Sequence, residues 1–146
     1  MSGKGTLELL GPLNAVEQKY AGKIRLVFMN QPLQMHAMAL PAAKAAMAAD
    51  LQGKFWPFHD ALFTAPKLDE EQLGVIAASV GVDVGRWNQD RASAAVDRAV
   101  STDVQRASKY GISSTPTFFV NGYKIKGAQP PPAFEKIIEA ELADRG

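Results

Sequence analysis

Ser114-Thr115-Pro116-Thr117-Phe118-Phe119-Val120-Asn121-Gly122-Tyr123-Lys124-Ile125-Lys126 is the stretch that decides the fold. Thr117 to Val120 and Tyr123 to Lys126 are rich in aromatic and β-branched residues, and Asn121-Gly122 between them tolerates the positive φ angles of a type I′ turn. The spacing predicts an antiparallel hairpin. Downstream, Gln129-Pro130-Pro131-Pro132 leads into a helix whose Phe134, Ile137, Ile138 and Leu142 face inward.

Upstream of the hairpin the pattern is mostly helical. Ser93 is placed to cap a long helix with a stripe of Val96, Val100, Val104 and Ala107, ended by Gly111. Asp83 precedes a short helix, with Val82 and Trp87 spaced as a hydrophobic staple. Asp69 precedes the helix from Glu70 to Val80, with Gln72 at its third position and Gly81 at its end. Lys54 to Phe63 carries a bulky face of Phe55, Phe58, Leu62 and Phe63. Met35 to Leu51 is alanine-rich, and Pro41 either kinks that helix or marks its first turn. Toward the start, Thr6 to Leu10 reads as a short strand ended by Gly11-Pro12. A helix with Leu13, Val16 and Tyr20 on one face and Gly22 as cap follows, and Lys23 to Met29 reads as a buried strand.

The expected order is therefore β-α-β, a helical insertion over about residues 36–110, then β-β-α, building one mixed sheet with helices on both faces. The 146 residues, 47% of them apolar, suit a single domain. Lys and Arg number 16 against 15 acidic residues, so a net charge of +1 offers no broad field for a polyanion, and a nucleic-acid partner is not expected. The apolar runs fall short of the roughly 20 residues that span a bilayer, and Met1 to Gly5 lack the apolar core of a signal peptide. A soluble chain without membrane contact is the expectation. There is no cysteine. That removes disulfides, zinc-thiolate sites, iron-sulfur clusters and cysteine nucleophiles together.

The segment from Ser114 to Gly122, followed by Gly127-Ala128-Gln129-Pro130, resembles the DsbA-like thioredoxin-fold proteins of bacteria. So do Gln52-Gly53-Lys54-Phe55-Trp56, His59-Asp60-Ala61-Leu62-Phe63, and Asn30-Gln31-Pro32-Leu33 with His36. The resemblance runs from about Pro12 to Leu142 and implies an α/β, thioredoxin-like fold with a helical insertion. It also implies a thiol-disulfide oxidoreductase ancestry and, for the family, a periplasmic or other extracytoplasmic setting; the compartment of this chain is left open. In the family a Cys-x-x-Cys pair stands at the start of the first helix. Leu10-Gly11-Pro12-Leu13 occupies that place here, so thiol-disulfide exchange has no nucleophile.

The resemblance further implies that Thr115–Pro116 is cis, against the roughly 5–6% of X–Pro bonds that are cis in general. Ser114, Thr115 and Pro116 would then form a loop that presents backbone to an extended peptide or protein. The leading expectation is a non-redox peptide-binding or interaction module, or an inactive remnant of a thiol-disulfide oxidoreductase, with no catalytic residue, cofactor or metal. The alternative is glutathione-dependent transferase or isomerase chemistry in the same groove, as in kappa-type glutathione transferases, which use a serine near the first helix. Ser2, the serine ahead of that helix, sits on the wrong side of Gly11-Pro12 for this.

His36 and His59 lack partners at ligand spacing, and His59 and Asp60, as sequence neighbours, are expected to diverge on a helix. The aromatic cluster of Phe55, Trp56, Phe58 and Phe63 is assigned to helix packing rather than to a groove. Lys4, Lys19, Lys23 and Arg25 are expected to be solvated. Assembly depends on the central slot of the sheet: either Thr6 to Leu10 fills it in a monomer, or a homodimer completes the sheet in trans.

Overall fold

The computed structural model describes residues 13–144. Its elements in chain order are α1 (residues 13–19), α2 (Ala39–Asp50), α3 (Phe55–Thr64), α4 (Glu70–Ser79), α5 (Val84–Arg91), α6 (Ala94–Lys109), β1 (Thr117–Val120), β2 (Tyr123–Lys126) and α7 (Pro131–Ala143). Thr6 to Leu10, expected as a strand, lies outside the described residues. The chain divides into two compact units, one of residues 29–111 and one formed by the segments on either side of it.

In the flanking unit, β1 and β2 form an antiparallel hairpin with Thr117 opposite Lys126 and Val120 opposite Tyr123. Asn121 and Gly122 adopt φ of 48° and 96°, the two positive values that a type I′ turn requires. Alternation along the strands turns Phe118, Val120 and Ile125 to one face. They pack there with Val16 and Tyr20 of the α1 segment and with Phe134 and Ile138 of α7. The rings of Phe118 and Phe134 meet edge to face at 5.0 Å. Pro131 and Pro132 open α7, where a missing N–H costs nothing.

A polar network ties the α1 segment to α7. The Lys19 ammonium reaches Glu135 at 2.6 Å and Glu139 at 3.5 Å, and the Tyr20 hydroxyl donates to Glu139 at 2.7 Å. The Tyr20 hydrogen bond, aided by the Lys19 charge, holds the Glu139 carboxyl below the usual carboxylate range. The bond from Lys19 to Glu135 raises the ammonium's pKa, and burial raises that of Tyr20.

The strand expected over Lys23 to Met29 has its expected partner outside the described residues; among the described ones Lys23 lies in a turn, residues 24–30 carry no strand assignment, and the sheet is the β1–β2 pair. A strand exists only where a neighbour supplies ladder bonds. The neighbour expected for this segment was Thr6 to Leu10.

The helical unit is built on α2. Ala42, Ala45, Ala46, Ala48 and Ala49 are buried, and such small side chains let neighbouring helices approach closely. Pro41 falls in the first turn, so it marks the start of the helix and kinks nothing. Phe58 and Trp87 close the core, and the Trp87 indole N–H donates to the Ala45 carbonyl at 2.9 Å. The predicted caps are present: Asp69 accepts from the Gln72 amide, Asp83 from Arg86 and Ser93 from Val96. Lys67 and the Gln72 amide together depress the Asp69 carboxyl. The chain enters this unit through Asn30, 3% exposed, whose backbone and side-chain N–H groups both donate to Asp103 Oδ2 on α6 at 2.9 Å.

Two outcomes follow from this packing. Trp87→Ala should lower unfolding free energy by about 3–5 kcal/mol, while Trp87→Phe, which keeps a ring but loses the bond to Ala45, should cost about 1–2 kcal/mol; urea titrations followed by circular dichroism measure both. Glu139 and Asp69 have depressed folded pKa values, so their stabilisation is present above the unfolded carboxylate pKa and lost as pH falls through the folded values. Lys19 and Tyr20 have raised folded values, so theirs is present at lower pH and lost on alkalinisation. The thermal midpoint should fall below about pH 4 and above about pH 10, and Tyr20→Phe should make the acid limb shallower.

Candidate peptide-binding loop

The approach to β1 is shaped by bonds that leave one residue open. The Thr117 hydroxyl donates to the Ser114 carbonyl at 2.8 Å, and the Gly127 amide donates to the Pro116 carbonyl at 2.9 Å. The second bond carries the hairpin pairing one step past Thr117 and Lys126. Gly127 has φ of 80°, a left-handed conformation that side chains disfavour. The Thr115–Pro116 peptide bond is cis, as the resemblance implied. Ser114 and Pro116 are half-buried, and Thr115 between them is exposed. Among the described residues, the Thr115 N–H and C=O take part in no hydrogen bond.

Residues 113–119 contain no ionisable side chain. Its polar groups are main-chain amides and the hydroxyls of Ser113, Ser114, Thr115 and Thr117, with no acid or base within the segment to activate them. Beyond the loop the strand exposes Phe119, which lies across from Lys124 on the face opposite Phe118.

Other residues singled out from the sequence lie elsewhere. His59 sits on α3 within an aromatic column, with the Phe63 ring centroid at 4.6 Å, Trp56 at 5.4 Å and Phe55 at 5.7 Å. Its Nδ1 lies 3.0 Å from Asp60 Oδ1, so the two neighbours converge instead of diverging. Their Cβ atoms do point apart around the helix, but an exposed aspartate can turn its short side chain back toward the ring. Phe58 is fully buried and stacks at 5.9 Å on Trp87, which fits the packing role given to the cluster, while Trp56 keeps a substantial solvent-facing surface. His36 lies in the turn ahead of α2, and no group of three or more His, Asp or Glu side chains among the described residues could hold a metal. Lys19 is ion-paired rather than simply solvated. Ser2 and Lys4 fall outside the described residues, as do all but the last residue of Leu10-Gly11-Pro12-Leu13.

Sequence reading missed the Gly127 amide and the pairing of Asn30 with Asp103. A glycine directly after a strand was the available signal for the first. The second links residues far apart in sequence, and no local pattern encodes it.

Residues 11–140 match the family described as Thioredoxin. The chain belongs to the thioredoxin family. Its fold is that of the DsbA-like members, without their cysteine pair. The structure is similar to a thioredoxin-like oxidoreductase from Silicibacter pomeroyi, with a TM-score of 0.86 at 24% identity over 97% of this chain and 82% of that one. It is also similar to the thiol-disulfide exchange protein alpha-DsbA2 from Wolbachia pipientis, with a TM-score of 0.83 at 19% identity over 96% of this chain and 75% of that one. In sequence it is 34% identical over 131 residues to the Na(+)/H(+) antiporter NhaA of Herminiimonas arsenicoxydans, covering 89% of this chain and 21% of the antiporter. The chain thus spans about a fifth of the length of the curated relatives it matches. No described helix is long and apolar enough to cross a membrane.

A thioredoxin-family chain without a thiol cannot form the mixed disulfide through which exchange proceeds. In an insulin-reduction assay the pure protein should give the dithiothreitol background rate, and concentration-dependent acceleration would contradict this.

Proposed function

We propose that this chain is a non-redox interaction domain, which holds an extended peptide segment by backbone pairing at Thr115. The observation that carries the reading is the exposed Thr115, whose N–H and C=O bond to no other described residue, in a loop otherwise fixed through Ser114, Pro116 and Gly127. An extended segment laid antiparallel to this loop gains main-chain hydrogen bonds without any covalent step, in the manner of strand addition. Such binding is weak, because few contacts must offset the ordering of the peptide.

The match to part of a sodium–proton antiporter supports placing the domain outside the lipid, as a binding surface carried by a membrane transport protein. The structural likeness to a periplasmic thioredoxin-like protein from Salmonella enterica supports an extracytoplasmic side for that surface.

The test is a nuclear magnetic resonance titration of the isotopically labelled chain with S-carboxymethylated insulin B chain, an unstructured polypeptide without free thiols. Amide shifts should concentrate at Ser114, Thr115 and Thr117. Thr115→Ala, which keeps the backbone groups, should bind within about twofold of the parent, whereas Thr115→Pro, which removes the N–H, should bind several-fold more weakly, by about the net worth of one hydrogen bond. Shifts that avoid the loop, or none at all, would overturn the reading.

A further inference from the structure

With no cysteine in the sequence, the sulfur that an oxidant can reach is the thioether of methionine. The described methionines differ widely in access. Met35 is 80% exposed and Met29 45%, whereas Met38 packs against the core of the helical unit and Met47 is half-buried on α2. Met35 lies in the turn ahead of α2, which is held by its backbone: the His36 amide donates to the Leu33 carbonyl at 3.1 Å and the Ala39 amide to the His36 carbonyl at 2.9 Å. Nothing in that turn depends on the Met35 side chain.

We infer that Met35 is a methionine-sulfoxide site, the one of the four described methionines that reacts first with hydroperoxide-class oxidants, and that its oxidation leaves the fold intact. A sulfur lone pair attacks one peroxide oxygen; the S–O bond forms as the O–O bond breaks. Sulfur gives up two electrons, the peroxide is reduced, and a proton moves to the departing oxygen, which leaves as water from hydrogen peroxide or as an alcohol from an alkyl hydroperoxide. The sulfoxide formed at Met35 is polar and stays in solvent, so no apolar contact is lost. The same change at Met38 would set a polar S–O group against the helical core. Reduction by a methionine-sulfoxide reductase restores the thioether. The chain thereby has a reversible oxidant-reactive position that is independent of any thiol.

The experiment exposes the full chain to hydrogen peroxide, quenches at intervals and maps each methionine by mass spectrometry. Of the four described methionines, Met35 should oxidise first, about tenfold faster than Met38 and Met47, with Met29 between, because susceptibility follows access. In urea the rates should converge. The singly oxidised protein should keep the thermal midpoint of the parent, and Met35→Leu, which folds because the site is exposed, should lose the fast phase. Equal rates across these four methionines in the native state, or a lowered midpoint after oxidation at Met35, would overturn the inference.

Discussion

The Gly127 amide donates to the Pro116 carbonyl across the open end of the hairpin, and the shape of the candidate site depends on that bond. It continues the pairing of β1 with β2 beyond Thr117, so the loop is fixed to the hairpin and Thr115 projects beside it. The hairpin is fixed in turn by its inner face, where Phe118 and Ile125 pack with Phe134 and Ile138 of α7 and with Val16 and Tyr20. Because side chains alternate along a strand, a slip of one residue would carry Phe118 and Ile125 out of this core and move the Gly127 amide away from Pro116. One register sets both the core and the loop.

The helical unit is held together differently. Alanines on α2 give close helix approach but bury little area each, and the large contributions come from Phe58, Leu73 and Trp87 around them. Trp87 also uses its polar edge on the Ala45 carbonyl, so the ring has one orientation in the core. Where the chain enters the unit, Asn30 sends two N–H groups to a single carboxylate oxygen of Asp103. A charged acceptor strengthens both bonds, and a buried asparagine without it would be costly.

Chemically, the chain keeps the scaffold of a thiol-disulfide family and lacks its reagent. The loop from Ser113 to Phe119 has hydroxyl, amide and aromatic groups but no acid, base or thiol. The main-chain groups exposed at Thr115 do not depend on which side chain that position carries. Sulfur chemistry, where it persists, belongs to thioethers, and solvent access rather than ionisation governs their reactivity.

The sequence by itself determined whatever rests on short-range rules. Asn121-Gly122 specified the turn because both positions need positive φ, and Asp69, Asp83 and Ser93 specified helix starts because their oxygens reach amides within one turn. The missing thiol was equally plain, since it requires no structure. Tertiary structure alone decided the partnerships between distant residues: Asn30 with Asp103, Lys19 and Tyr20 with α7, and the Trp87 indole with Ala45. The openness of Thr115 belongs to the same class. A hydrogen bond has two ends, and the sequence near one end does not say where the folded chain will bring the other, or whether it will bring one at all.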